Sequence, residues 1–204
     1  MRTKICFVIA FTFFVQIVSA QTFGIKGGIN FANVTISGGG INISPKSITS
    51  FHVGPVADFV LQESLHFNTG LLFSVKGFKM EMDYFETTAE VTEKINYLEV
   101  PLNLTYKFSV SETSNFFVQA GPYLGYALNG KAKQGGETSD LEFGTGKMKR
   151  LDFGVGFGAG LEFGSIVTSL NYQLGLTNLV DDQTTKMKNK VLQISVAYMF
   201  GAKK

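Results

Sequence analysis

Every second residue of several long segments is apolar, and the residues between are not. From Leu98 the apolar set is Leu98, Val100, Leu102, Leu104, Tyr106 and Phe108, interleaved with Tyr97, Glu99, Pro101, Asn103, Thr105 and Lys107. From Leu151 it is Leu151, Phe153, Val155, Phe157, Ala159, Leu161 and Phe163, interleaved with Arg150, Asp152, Gly154, Gly156, Gly158, Gly160 and Glu162. Near the end Leu192, Ile194, Val196, Tyr198 and Phe200 alternate with Gln193, Ser195, Ala197 and Met199. A period of two places alternate side chains on opposite faces of a β-strand, whereas a helix needs a period of about 3.6. Residues 23–31, 51–61, 67–75, 116–129 and 166–175 follow the same rule with more interruptions, which makes eight strands and an all-β fold.

Alternation alone also suits a soluble barrel or sandwich. The polar sets decide between them. Gly154, Gly156, Gly158 and Gly160 share one face of one strand, and glycine is a poor choice for a solvated strand face. It suits a narrow interior crowded by large side chains from opposite strands, as an eight-stranded barrel has. Phe and Tyr lie near the strand ends of the apolar sets, where an interfacial aromatic girdle would sit. The pattern predicts an eight-stranded antiparallel up-and-down transmembrane β-barrel, with its apolar set against lipid and its polar set filling the lumen.

Connection lengths agree. Residues 33–49, 80–94, 130–148 and 178–188 make long connections, while 62–65, 110–114 and 164–165 make short ones. Long and short alternate, so they fall on opposite ends. In outer-membrane barrels the short turns are periplasmic and the long loops external, which makes the four long loops the expected recognition surface. The loops are polar. Residues 37–40 and 134–136 are glycine-rich and read as mobile, and neither continues into the Gly-Lys-Ser/Thr of a phosphate loop. Asn33-Val34-Thr35 matches a glycosylation sequon, which in a bacterial context is expected to carry no meaning. Asp181 and Asp182 lack the oxygen-ligand spacing of a calcium loop and read as a solvated acidic pair.

The chain begins as an export signal. Arg2 and Lys4 precede an apolar run over residues 5–15, and Val18-Ser19-Ala20 offers small residues for cleavage before Gln21. The run is too short for the roughly 20 apolar residues of a membrane-spanning helix. Residues 1–20 are therefore expected to be a cleavable signal peptide and 21–204 one barrel domain, destined for the cell outer membrane. The single cysteine, Cys6, falls within the signal, so disulfide and thiol chemistry are not expected of the barrel. Arg2 and Lys4 account for two of the 18 basic residues, and the remaining 16 match the 16 acidic ones. Such a balance lacks the basic footprint of a nucleic-acid binder.

By parity Lys26, Asp58, Lys76, Glu99, Lys107, Arg150, Asp152 and Glu162 all project inward. Charges in a narrow lumen are costly unless paired. A salt-bridged network is expected, with Glu99 close to Lys76 or Lys26 near mid-barrel; a narrow path for ions or small solutes is the alternative use of the same residues. The two histidines fall apart, His52 near the outer rim and His66 beside a turn, where it is expected to be solvated. No nucleophile is marked near either, so no catalytic site, metal site or cofactor is expected. Pro55, Pro101 and Pro122 interrupt strands because each lacks a ladder donor. Pro101 and Pro122 are similarly distant from the turn at 110–114, so one irregular level could accommodate both.

Several stretches resemble a known family. Phe23-Gly24-Ile25-Lys26-Gly27-Gly28-Ile29-Asn30-Phe31, Gly70-Leu71-Leu72-Phe73-Ser74-Val75-Lys76-Gly77 and Tyr97-Leu98-Glu99-Val100-Pro101-Leu102 are similar to segments of the PorT-like outer-membrane β-barrel family of Bacteroidetes. So are Ala120-Gly121-Pro122-Tyr123-Leu124-Gly125-Tyr126 and Tyr172-Gln173-Leu174-Gly175-Leu176-Thr177-Asn178. The resemblance implies an integral protein of a Gram-negative outer membrane, in contact with lipid and inserted by the barrel assembly machinery. It implies either a structural or partner-binding barrel, with an envelope protein as partner for its loops, or a component of a secretion or assembly system. The chain departs from the usual pattern at its end, where Phe200 is followed by Gly-Ala-Lys-Lys.

Overall fold

The computed structural model describes residues 21–38, 41–84, 87–182 and 184–201. They form eleven strands in one antiparallel sheet: β1 (Gln21–Gly38), β2 (Ile41–Ile43), β3 (Lys46–Val60), β4 (Leu65–Gly70), β5 (Leu72–Tyr84), β6 (Thr87–Ser111), β7 (Ser114–Gln134), β8 (Glu137–Asp140), β9 (Leu151–Phe163), β10 (Ile166–Gly175) and β11 (Thr185–Phe200). β4 and β5 are one stave broken at Leu71, and β2 and β8 are short additions to β1 and β7. The remaining order closes on itself as eight staves, because β1 pairs with β3 on one side and with β11 on the other. The eight-stranded reading of the sequence is the observed ring.

The ring is inside-out relative to a soluble protein. Ile25, Phe157 and Val196 are 54%, 51% and 54% exposed, whereas Lys76, Glu99 and Asp152 are fully buried. Each apolar side chain left in water forfeits about 1.5–3 kcal/mol, so this outer face is built for hydrocarbon. Aromatic side chains gather on it toward the short-turn end. Tyr106 packs edge-on to Phe108 at 4.8 Å and Phe108 tilts against Phe116 at 5.9 Å, while Tyr198 meets Phe200 at 5.5 Å. This is the position of an interfacial girdle.

Three tight connections lie at that end, at 61–64, 112–113 and 164–165. At the other end the strands run on. β6 is 25 residues long, where about 9–11 suffice to cross a bilayer. It stays paired with β5 as far as Tyr84 opposite Thr87, so the segment 80–94, expected as a loop, is a projecting β-hairpin. Gly135 and Gly136, expected to be mobile, form the two-residue turn between β7 and β8. Their φ values of 58° and 92° are the positive pair that a tight hairpin of this hand requires. Ser37 and Gly38 belong to β1, and residues 39–40 lie outside the described residues.

The prolines mark one zone of broken pairing across neighbouring staves. Between β6 and β7 the ladder holds at Pro101–Tyr123 and Leu104–Ala120 but lapses over the positions between, where Pro122 lies. Pro55 sits opposite the break at Leu71, whose N–H donates to the Pro55 carbonyl at 3.0 Å. The Pro101 carbonyl in turn accepts from Thr69 Oγ1 at 2.8 Å.

The β9 glycines are not equivalent. A Cβ on Gly154 would lie 2.5 Å from the Tyr123 ring, and one on Gly160 2.8 Å from a Phe117 ring carbon. A Cβ on Gly156 meets nothing nearer than 3.6 Å. Gly154→Ala is therefore expected to cost about 1–3 kcal/mol through overpacking. Gly156→Ala is expected to be neutral or to stabilise by up to about 1 kcal/mol, because strand glycine carries excess unfolded-state entropy. Urea midpoints of the two variants in lipid vesicles check the contrast; equal midpoints would contradict it.

Candidate functional site: the barrel lumen

Three levels divide the lumen. The loop end is sealed by apolar side chains. Val34, Phe78 and Met187 from β1, β5 and β11 close around Leu179 of the β10–β11 connection, with Met148 and Val180 against them. Ile95, Tyr97 and Ala127 continue the seal beneath Leu141 and Phe143 of the β8–β9 connection. Backbone bonds fasten this cap: Leu179 N–H donates to the Met187 carbonyl at 2.8 Å, and Lys149 N–H to the Leu179 carbonyl at 2.7 Å.

The middle level is an ion cluster. Lys76 Nζ lies 2.7 Å from Glu99 and 3.1 Å from Asp152, with all three side chains fully buried. Gln173 donates to Glu99 at 2.7 Å, Asn189 to Asp152 at 2.8 Å, and the Tyr123 hydroxyl to Asp152 at 3.3 Å. The Tyr123 ring also stands 4.2 Å from the ammonium, a cation–π contact. Six staves, β5, β6, β7, β9, β10 and β11, supply these groups, so the cluster crosses the whole lumen. Burial of such charges is tolerable only with this pairing and bonding.

The lowest level holds a second cluster. Lys107 Nζ bridges Asp58 at 2.8 Å and Glu162 at 2.7 Å. His66 Nδ1 is 2.9 Å from Asp58. His66 is thus buried on the β3–β4 hairpin and not solvated as its place beside a turn suggested. Between the two clusters Lys26 stands apart. Among the described residues it has no carboxylate within salt-bridge distance, and it lines both a cavity of about 270 Å³ below and a narrow crevice shared with Glu99 above.

Of the eight charges expected inward, Lys76, Glu99 and Asp152 form one group and Lys107, Asp58 and Glu162 another, with Lys26 in neither. Arg150 is a correction. It precedes β9, is exposed, and donates to the Ala127 and Leu128 carbonyls at 2.8 and 3.1 Å while its guanidinium covers the Phe143 ring at 4.6 Å. Pleat parity does not bind a residue outside the ladder. His52 is also misplaced by the sequence reading. It lies about midway along β3, 1% exposed, donating through Nδ1 to Asn30 Oδ1 at 2.7 Å and accepting at Nε2 from Ser195 at 3.0 Å. Both ring nitrogens are engaged, and no acid is among their partners. Asp181 and Asp182 diverge: Asp181 accepts from the Gly146 N–H at 2.9 Å, and Asp182 from Thr184 at 2.8 Å. The Gly146 bond and nearby Lys149 hold the Asp181 carboxyl below its ordinary range.

A closed ring with an apolar exterior and a polar, filled interior defines a small transmembrane β-barrel. Residues 19–181 match the family model described as outer membrane protein beta-barrel domain, so the chain belongs to that family and is an outer-membrane protein embedded in lipid. Among solved structures it is similar to Neisserial surface protein A, at 14% identity over 89% of this chain and 100% of that one, TM-score 0.48. It is similar to OprG of Pseudomonas aeruginosa at 13% identity over 89% and 96%, TM-score 0.48. It is similar to Ail of Yersinia pestis, solved with the heparin analogue sucrose octasulfate, at 15% identity over 88% and 99%, TM-score 0.42. No curated protein matches the sequence.

Proposed function

We propose that this chain is a non-conducting, non-catalytic barrel that acts through its loop end, as a structural or partner-binding protein of the outer membrane. The loops face outward and the short turns face the periplasm. Residues 1–20, outside the described residues, are its cleaved export signal, and 21–204 are inserted as one domain by the barrel assembly machinery. Its place is the PorT-like branch of the family. The observation that carries this reading is the lumen itself. Among the described residues the Lys76–Glu99–Asp152 cluster crosses it and the Leu179 cap covers its outer end, and both stand in the way of a solute. The projecting β5–β6 hairpin offers paired backbone beyond the lipid and carries the Lys79–Glu90 ion pair, a surface suited to an envelope protein.

Planar-bilayer recording tests the reading. The wild-type barrel is expected to give no resolved conductance steps. Regular single-channel steps would make it a narrow pore instead. Purification from outer membranes under mild detergent addresses the second reading, a component of a secretion or assembly system. A stoichiometric envelope complex that survives deletion of residues 80–94 would place the docking surface elsewhere than the hairpin.

A further inference from the structure

The lower half of the lumen is a vessel open at one end. Its cavity of about 270 Å³ is lined at the mouth by Val60 and Gly164, beside the short turns, and ends at depth on Lys26. The ion cluster and the cap block it from the loop end, so whatever enters comes through the turn end.

Its walls are not uniform. Val56, Phe117, Val167, Ala197 and Met199 give it an apolar side. Ala197 pairs across the ladder with Lys26 on one side and Val167 on the other, so the apolar wall runs directly up to the ammonium. Lys107, by contrast, is already matched by two carboxylates. Lys26 is the charge in the cavity without a counterion among the described residues. Above the cavity, in the narrow crevice that Lys26 also lines, Gln193 is 3% exposed and its Nε2 donor has no hydrogen-bond partner among the described residues. Buried donors of this kind ordinarily find an acceptor, and an enclosed cation ordinarily finds an anion.

We propose that the turn-end cavity binds a short aliphatic carboxylate, its carboxylate on Lys26 and its chain along Val56, Val167, Ala197 and Met199. Size sets the length. A cavity of about 150 Å³ holds benzene and drug-sized ligands need about 300 Å³ or more, so the occupant has on the order of six to ten non-hydrogen atoms. Charge sets the head group. A single ammonium with Glu99 above it and Asp58 and Glu162 below suits one negative charge; a phosphate dianion would meet those carboxylates with too little compensation. An amine is excluded by Lys26 itself.

The test uses the full folded barrel in nanodiscs with ¹³C-labelled hexanoate as probe, read by intermolecular NOEs to valine and methionine methyls. Saturable contacts to Val56, Val167 and Met199 are expected, with a Kd of about 1 mM or tighter. Lys26→Gln is expected to weaken binding at least tenfold, and hexylamine to give no saturable contact. Ala197→Leu fills the cavity while keeping the charge, and is expected to abolish the contacts even if Lys26→Gln fails to fold. Heat-modifiable gel mobility reports folding of each variant. Absence of saturable contacts, or contacts unchanged in folded Lys26→Gln or Ala197→Leu, would overturn the proposal and leave hexanoate as a solute of the lipid only. The conductance result stands separately from either outcome.

Discussion

Replacing Lys76 with methionine is expected to lower the stability of the folded barrel by about 3–5 kcal/mol. The substitution removes the one cation that holds Glu99 and Asp152 together, 2.7 and 3.1 Å away, in a site fully closed to solvent. Two carboxylates would then share a desolvated space with only amide and phenol donors. The triple variant Lys76→Met/Glu99→Gln/Asp152→Asn removes all the charge at similar volume. It is expected to recover most of the loss, because neutral isosteres carry no desolvation penalty of comparable size. The chain has no tryptophan, so unfolding is best followed in urea by circular dichroism and gel mobility. A single variant within about 1 kcal/mol of wild type would show that the cluster's charges are not held as paired ions.

A second large effect is expected on the opposite face. Leu170, 52% exposed, lies midway along β10 with its side chain toward lipid. Leu170→Arg is expected to cost about 2–4 kcal/mol, as arginine does at the middle of the hydrocarbon. Leu176 is just as exposed at 49% but lies beyond the end of β10. There the same substitution is expected to cost about 0–1 kcal/mol. The pair isolates depth from exposure, and similar costs at both positions would mean that the apolar band does not end where β10 does.

The sequence carried the staves well and the loop end poorly. Alternation is a local signal, and a strand between lipid and a packed lumen must alternate over its whole crossing, so Leu98 to Phe108 or Leu151 to Phe163 could be read without a partner. Beyond the band the alternation of β5 continues, with Phe78, Met80, Met82 and Tyr84 between Lys79, Glu81 and Asp83, but in the opposite sense. Phe78 and Met80 share the parity of the inward Lys76 and pack against the cap, so the segment does not continue the lipid-facing set and reads as loop. Parity also fixes a face but not a height or a bearing around the ring. It placed Lys76, Glu99, Lys107 and Asp58 inside together, but the stagger of the staves sends Lys76 to Asp152 as well as Glu99, and Lys107 to Asp58 and Glu162. Arg150 failed for a simpler reason, since β9 starts one residue later. His66 failed because a short turn says nothing about the acid across the hairpin, and Asp58 is there.

The ring is fastened where β1 meets β11, from Phe23 beside Phe200 to Gly38 beside Thr185. Those partners stand almost a whole chain apart, and contacts of such separation are the slowest to form. Until this seam shuts, the sheet has two raw edges, and lipid supplies no hydrogen bonds to either. Ring closure and insertion are therefore coupled: β1 has no neighbour on that side until β11 has been made, so neither edge can enter lipid alone.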